Sequence, residues 1–485
     1  MNAYKRLLFL ILVSIIFISC KEQVKNIQEI NEIPHIIPDY TGVTVPSIIA
    51  PLNFTLSGAF EKIHVVIEGS KNEKIEAQGS KSISIPAQPW HKLLDNNKGS
   101  TLNVTVSAKR DGKWFQYKTF PLYVSNFPID YGLVYRLIAP GYEIYSKMGI
   151  YQRDLSSFTQ TALIENTFIS GSCVNCHSFN QTDPELMSLH IRGEYGGTIL
   201  KKNGTLDVID LKTKESLGRG VYPFWHPSGK YIAYSMNNTR QIFHAANRKK
   251  IEVIDLSSDL TVYDIVNNKV LTCPLLQTNN FETFPAFSPD GNSLYFCLSA
   301  YTELPVDYEK VRYNLCRIDF NPQTGTFGNK IDTLVHASAI NKSVSFPRPS
   351  YDGKYIMYTL SDYGNFSIWH KEADLWLLNL RSGENRALTE VNSDDTESYH
   401  SWSSNSRWFV FSSRRDDGLY TRLYLASIDE EGNVSKPFKL PEEKPAVHDP
   451  SFYSFNIPEF ISSPVNLDLK YLEKKLLKKE LRQAD

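Results

Sequence analysis

A strand–turn–strand pattern recurs four times in the second half of the chain and constrains the fold more than any other feature. Each copy joins two apolar runs through a tight turn that carries Gly or Asn/Ser. The copies are Tyr222–Tyr234, Phe284–Phe296, Phe346–Tyr358 and Tyr399–Phe411. Their equivalent positions His226, Ser288, Ser350 and Ser403 lie 62, 62 and 53 residues apart. A four-stranded propeller blade needs about 40–50 residues, so the pattern predicts blades with inserted loops.

Further segments extend this pattern to a complete all-β body. A third strand is predicted after each copy, at Val253–Leu256, Leu315–Asp319, Leu375–Asn379 and Leu423–Ser427. Two earlier blades are predicted at Gly132–Leu163 and Cys173–Leu217, and the segment Ser451–Pro458 is predicted to complete the first blade as a closure strand. The sequence thus predicts six blades over residues 128–463, with five or seven as alternatives.

The phrase Ser288-Pro-Asp-Gly291 and its counterparts resemble the WD40-like repeats of the TolB-type β-propeller family, over roughly residues 130–460. The resemblance implies a binding or scaffold protein. No G-x-S-x-G, H-E-x-x-H, P-loop or dinucleotide-binding glycine pattern occurs, so an enzyme is not expected. A propeller enzyme acting on glycans or peptides is a weaker alternative, because the aromatic and His residues at the blade starts are more often packing residues.

Composition agrees with an all-β protein and argues against one class of partner. The chain has 27 Tyr and 26 Phe but only 5 Met, which favours strands over a helical bundle. Its 52 Lys+Arg and 53 Asp+Glu leave a net charge of −1. A chain with so little net charge has no overall electrostatic field that attracts polyanions, so nucleic acid is not an expected partner.

The first residues have the pattern of an export signal. Lys5 and Arg6 precede an apolar run over 7–18, which is too short to span a bilayer but fits the core of a signal peptide over 1–19. The end of this run and Cys20 resemble a bacterial lipobox. The resemblance implies that Cys20 is lipidated and anchors the protein to the outer membrane of a diderm bacterium, facing the periplasm or the exterior. The alternative is a cleaved signal with an incidental Cys.

Three further segments complete the predicted organisation. Residues 20–38 are polar and are predicted to be a tether. Residues 39–127 contain short alternating strands and resemble an immunoglobulin-like β-sandwich. Residues 464–485 are predicted to hold an amphipathic helix with Leu469, Leu472 and Leu476 on one face. This helix is expected to lie on the propeller with its lysines solvated; a membrane-surface role is the alternative.

One motif indicates chemistry. Cys173-Val-Asn-Cys176-His177 matches C-x-x-C-H, the attachment signature of c-type haem. In this signature two thiols reach the vinyl groups of one porphyrin and the adjacent imidazole binds the iron as axial ligand. Cys173 and Cys176 are therefore the candidate thioether residues, and His177 is the candidate proximal ligand. Export supports this interpretation, because haem attachment takes place outside the cytoplasm.

Other interpretations of the motif stay open. Cys173 and Cys176 could form a disulfide in an oxidising compartment, or they could bind zinc with His177. The motif could also be an ancestral haem site that is now empty. Cys297 and Cys316 lie on consecutive predicted strands and could pair, but buried free thiols are the more natural state for them and for Cys273.

The distal haem ligand is open as well. Met187 and His190 follow the motif most closely and are the first candidates, although both could be ordinary strand residues. A distant His such as His226 or His400, or no second ligand, is the alternative. Arg192 is a candidate partner for a haem propionate or an ordinary surface charge.

Together these patterns predict an exported, lipid-anchored c-type cytochrome with one covalent haem c. The propeller would hold the haem, transfer single electrons and dock a redox or envelope protein on one face. The alternative is a non-redox, TolB-like binding or scaffold lipoprotein whose Cys173 and Cys176 form a disulfide.

Overall fold

The computed structural model describes residues 23–139, 147–214, 217–244, 249–446 and 451–485. Strands account for 48% of the structure and helices for 8%, which confirms the predicted all-β class. The predicted signal peptide over 1–19 and the lipidation residue Cys20 lie outside the described residues. In the described ranges, none of the helices has the length and apolar character needed to cross a membrane.

The N-terminal part holds two sheets and one helix. Its strands are β1 Ile27–Glu29, β2 Ile36–Ile37, β3 Thr44–Val45, β4 Phe54–Leu56, β5 Lys62–Glu68, β6 Lys74–Gly79, β7 Ser82–Ile83, β8 Thr101–Arg110, β9 Lys113–Gln116 and β10 Phe120–Val124, and its helix is α1 Ala87–Asn96. In the seven-stranded sheet, β8 pairs with β9 and β10 along one edge and with β5 along the other, and β6, β1 and β3 complete the sheet. The second sheet has the order β2-β4-β7. Both sheets contribute apolar side chains to one core.

Two features of this part differ from the sequence-based expectation. Within the segment predicted as a tether, β1 pairs in parallel with β9, and β2 pairs with β4. The side chains of β1 are all exposed, so its pairing rests on the backbone and leaves no apolar pattern to read. The helix α1 was also not predicted. It buries Trp90, Leu93 and Leu94, whose spacing is helical but spans too few residues to stand out.

Within its described residues, the rest of the chain forms six antiparallel four-stranded groups, of which the third and fourth are joined into one sheet by a parallel bridge between Ser258 and Phe281. The first is β11 Gly132–Ile138, β12 Gly149–Asp154, β13 Gln160–Glu165 and β34 Ser454–Ile461; the second is β14 Cys173–Asn180, β15 Asp183–Arg192, β16 Gly197–Lys202 and β17 Thr205–Asp210. The third is β18 Val221–Trp225, β19 Tyr231–Phe243, β20 Ile251–Asp264 and β21 Lys269–Leu271; the fourth is β22 Phe281–Phe287, β23 Ser293–Ser299, β24 Asn314–Asn321 and β25 Thr326–Val335. The fifth is β26 Ser343–Pro349, β27 Tyr355–Ser361, β28 Asp374–Asn379 and β29 Asn385–Ala387; the sixth is β30 Glu397–Trp402, β31 Trp408–Ser413, β32 Arg422–Ser427 and β33 Phe438–Lys439.

One edge strand of each group contacts the corresponding strand of the next group. These six edge strands are β34, β14, β18, β22, β26 and β30, and β30 also contacts β34. The pairing of β34 with β11 confirms the predicted return of the C-terminal segment to the first group. We call β34, β14, β18, β22, β26 and β30 the inner strands.

The four predicted hairpins are confirmed as β18–β19, β22–β23, β26–β27 and β30–β31. One predicted third strand covers only part of the observed strand β20. Val253–Leu256 lies in the long outer part of the β19–β20 hairpin, whereas Leu260–Asp264 pairs with the part of β19 that pairs with β18. Both stretches contain several apolar residues and have an Asp at or next to their end, so the sequence did not show which of them pairs with the inner part of β19.

The C-terminal helix is shorter than predicted. The helix α2 spans Leu469–Leu477 and buries Leu472 and Leu476 in a core shared with the second group. The chain then forms β35 Arg482–Gln483, which pairs in parallel with β17. Short 3₁₀ turns lie at Asn166–Phe168, Pro274–Leu276, Tyr308–Lys310, Ala337–Ile340 and Ser367–Trp369.

Candidate functional site

The C-x-x-C-H motif opens inner strand β14. Its Cys176 has a left-handed backbone, with φ of 51°, and the pairing register with β15 shifts between Asn175 and Ser178. In a regular strand, residues three positions apart point to opposite faces. The irregularity at Cys176 breaks this alternation, and Cys173 and Cys176 line the same cavity.

The same left-handed position recurs on every inner strand. The equivalent residues are Cys176, Tyr222, Phe284, Phe346, Tyr399 and Ile457, with φ between 50° and 53°. The residue that follows is Pro in four of the strands and His in the other two, His177 and His400. Cys176 and His177 thus occupy the place that an aromatic or Ile residue and a Pro or His occupy elsewhere in the repeat.

The cavity beside the motif has a volume of about 240 Å³. Its cationic residues come from three different groups: Arg136 from β11, Arg192 from the end of β15, and Arg414 from the segment after β31. Its apolar wall includes Trp369 and Phe366. No Asp or Glu occurs among the described residues that line it, so the charged side chains among them are all cationic.

Both thiols of the motif are free. Every described cysteine is unpaired, so the structure contains neither the alternative Cys173–Cys176 disulfide nor a Cys297–Cys316 bond. Burial raises the pKa of Cys173, and the nearby charges of Arg136 and Arg192 oppose that shift only in part. The Cys173 side chain therefore carries its proton at neutral pH.

The imidazole of His177 is enclosed and has no hydrogen-bond partner on either ring nitrogen among the described residues. The carbonyls of Val134 and Ile457 face the ring and oppose the shift of its pKa, without meeting hydrogen-bond geometry. Burial, helped by the charge of Arg136, lowers the pKa of His177 to about 3. His177 is therefore neutral at physiological pH, the state in which imidazole binds metals.

The ring of His177 does not line the large cavity. It lines a smaller one, of about 20 Å³, which Cys176 and Tyr222 also line. An aromatic cluster of Tyr222, Phe284, Phe346 and Tyr399 contributes to the lining of both cavities, with successive ring centroids 4.5, 4.1 and 4.8 Å apart. Cys176 thus stands at the boundary between the two spaces.

Neither predicted distal candidate lines the large cavity. Met187 is buried in the core of the second group, where it lies opposite Phe179 on β14. His190 is buried opposite Asn175, and its Nδ1 lies 3.2 Å from Thr198 Oγ1. Burial lowers the pKa of His190 to about 3. Both residues therefore act as packed strand residues.

The distant histidines are also engaged elsewhere. His226 Nε2 lies 3.0 Å from the Gly291 carbonyl oxygen and His400 Nε2 lies 2.9 Å from the Met357 carbonyl oxygen. In the described part of the chain, no three His, Cys, Asp or Glu side chains are placed to hold a metal ion, so the zinc alternative has no ligand set there. Arg136 and Arg414 were missed from sequence, because the residues that meet at the cavity are far apart along the chain.

The residues present fit the attachment of a haem in part. Two free thiols line one cavity whose described charged residues are all arginines, and a neutral, unpartnered imidazole follows the second thiol directly. The feature that fits least well is that His177 lines a separate, smaller cavity.

Comparison with known proteins gives little further information. No protein-family model matches the chain. No curated protein matches it either. Among solved structures, prolyl oligopeptidase B from Galerina marginata is 12% identical with a TM-score of 0.36, over 60% of this chain and 43% of that one. A puromycin-hydrolyzing peptidase of Mycobacterium tuberculosis is 10% identical with a TM-score of 0.35, over 62% and 46% of the two chains.

A DUF4784 family protein from Bacteroides caccae ATCC 43185 is 11% identical with a TM-score of 0.27, over 76% of this chain and 97% of that one. The chain spans less than half the length of the two peptidases. The TM-scores are too low for any of these likenesses to indicate a shared fold or activity.

Proposed function

We propose that this protein is an exported, lipid-anchored c-type cytochrome that carries one covalent haem c. Cys173 and Cys176 would form the thioether bonds and His177 would be the proximal ligand. The observation that carries the proposal is the pair of free thiols lining one cavity, followed directly by a buried imidazole without a partner. When bound, the haem would supply one-electron transfer.

The side chains around the motif suit this role. The left-handed backbone of Cys176 lets both thiols face the cavity, and the low pKa of His177 keeps its ring neutral. Because Met187 and His190 do not line the cavity, neither predicted distal candidate is supported as a second ligand.

The proposal includes a TolB-like six-bladed propeller as the body of the molecule. Six four-stranded groups and the contacts around the inner strands support it, as does the return of β34 to β11. An immunoglobulin-like N-terminal domain would space this body from the outer membrane, to which Cys20 would be anchored. A redox or envelope protein would dock on a propeller face.

The test is a pyridine haemochrome spectrum and an intact mass of protein secreted with a haem-attachment pathway. We expect one covalent haem per chain in the wild type and none in the Cys173→Ser/Cys176→Ser variant. The matched control is Cys273→Ser, a free buried cysteine outside the motif, which should keep its haem. Colourless wild-type protein of unmodified mass would contradict the proposal.

A second candidate is a non-redox binding or scaffold lipoprotein with the same body. One observation favours it: Cys176 and His177 fill the repeat position that an aromatic residue or Ile and a following Pro or His fill on the other inner strands, and His177 does not line the large cavity. In this case the motif would be part of the repeat. Wild-type protein of unmodified mass, folded and colourless, would support this candidate.

A further inference from the structure

We propose that the large cavity beside Cys173 is a binding site for carboxylate groups carried on an apolar body, with Arg136 and Arg192 as the residues that bind the carboxylate. The carboxylates could be those of the attached haem, which rests on the proposed function, or those of a diffusible organic acid, which does not. The binding chemistry is the same in both cases.

The first reason is the charge of the cavity. Three guanidinium groups line it, and its described lining residues include no carboxylate. Neither Arg136 nor Arg192 forms an ion pair with a described residue within the structure. Guanidinium groups bind carboxylates through paired, charge-assisted hydrogen bonds, so a carboxylate is the ligand that best matches this wall.

The second reason is the state of Arg136. Its Nη1 donates to the Asn175 side chain, next to the motif, while its buried Nε has no hydrogen-bond partner among the described residues. A buried donor without a partner is costly unless a ligand or water accepts its hydrogen bond. Arg136 is thus held in place with one donor still available.

The register fixes Arg192 beside the motif. Arg192 on β15 lies directly opposite Cys173 on β14, and its side chain is exposed. Arg192 thus lines the cavity and is also exposed to solvent, so its guanidinium is accessible to a ligand.

The rest of the cavity suits an apolar body. Trp369, Phe366 and Tyr399 line it, and the buried guanidinium of Arg414 lies 3.5 Å from the Trp369 ring centroid and donates to the Ile368 carbonyl oxygen. The volume of about 240 Å³ lies just below the range of about 300–1,000 Å³ for small-molecule sites. It fits a small organic acid, or the carboxylate-bearing edge of a larger molecule.

The binding test uses the full-length Cys173→Ser/Cys176→Ser variant, which has no thiols for covalent haem. It is titrated calorimetrically with 3-phenylpropionate and with the uncharged 3-phenylpropionamide. We expect the acid to bind and the amide not to bind. Adding Arg136→Gln or Arg192→Gln should weaken binding of the acid about tenfold or more. The exposed Arg192 serves as the variant that cannot disturb the core, and Arg381→Gln, an exposed arginine between β28 and β29, is the control.

The second arm uses the secreted wild type after its haem content has been measured. If haem is attached and its carboxylates are the ligand, 3-phenylpropionate should not bind, and Arg136→Gln should lower the reduction potential. A wild type without haem should bind the acid as the Ser variant does, which overturns the proposed function and supports this inference.

Two results would overturn the inference whatever the haem content. One is that the Ser variant binds neither compound or binds acid and amide equally. The other is that Arg136→Gln and Arg192→Gln leave the affinity for the acid unchanged.

Discussion

At the scale of single residues, three buried histidines make the folded protein less stable in acid. Burial lowers the pKa of His177, His190 and His400 to about 3 in each case. The unfolded chain takes up their protons below about pH 6.5, whereas the folded chain does so only near pH 3. Their contribution to stability is therefore complete above about pH 6.5 and is lost as the pH falls.

Buried carboxylates act in the opposite direction. Burial raises the pKa of Glu282 and Glu459 to about 7, so the folded chain binds their protons first and gains stability as the pH falls. The total pH dependence is a sum of opposing contributions. A single histidine has to be measured by comparing a variant with the wild type.

We predict that His190→Gln flattens the pH dependence of stability. The free energy of unfolding should fall by about 2 kcal/mol less than in the wild type between about pH 7.5 and about pH 5. Urea unfolding at the two pH values measures this. The control is His35→Gln, since His35 is exposed. An unchanged slope for His190→Gln would show that the pKa of the ring is the same in the folded and the unfolded chain.

Only some residues of the candidate site could be predicted from the sequence. Cys173, Cys176 and His177 are adjacent and match a known spacing, so their grouping was readable. Arg136 and Arg414 reach the same cavity through β11 and the segment after β31, and only the packing of separate groups brings them together. The side of the strand on which His177 lies was also unpredictable, because it depends on the irregular backbone at Cys176.

At the scale of elements, two of the turns that follow the inner strands have equivalent glycines and can be compared directly. Gly291 and Gly353 hold the same turn position in the fourth and fifth groups, with φ of 75° and 72°. A Cβ at Gly291 would lie 2.3 Å from His226 Nε2, whereas a Cβ at Gly353 would meet nothing within 4 Å. The turn of the fourth group thus packs closely against the third group, and that of the fifth leaves open space.

We predict that Gly291→Ala destabilises the protein more than Gly353→Ala. The second change costs only the left-handed backbone, about 1–2 kcal/mol. The first adds a clash with His226, about 1–3 kcal/mol more. Urea unfolding of both variants gives the difference. Equal losses would mean that His226 moves aside without cost.

The same turns explain which elements were predictable. Four groups carry a Gly or Asn/Ser turn between large apolar runs, and these hairpins were predicted correctly. Strand β1 was missed because its side chains are all exposed, and β2 was missed because its two residues are too few to show a periodic pattern. The predicted third strand Val253–Leu256 covers only the outer part of β20, because this part and Leu260–Asp264 both combine apolar residues with an Asp at or next to the end.

At the scale of the whole molecule, the two parts of the C-terminal segment have different structural roles. Strand β34 pairs with β11 and contacts β14 and β30, so it joins the first group to both of its neighbours. The residues after it cover the second group, where Leu472 and Leu476 are buried and β35 pairs with β17. Removing the two parts separately should therefore have different consequences.

We predict that deleting residues 467–485 leaves a folded but weaker protein, whereas deleting 451–485 prevents folding to a monomer. The shorter deletion loses the burial of two leucines, about 3–6 kcal/mol. The longer one also exposes the edge of β11 and opens the contacts between the first and sixth groups, and a free edge strand promotes aggregation. Circular dichroism and size-exclusion chromatography distinguish these outcomes. A monomeric, cooperatively unfolding protein without residues 451–485 would show that the six groups hold together without β34.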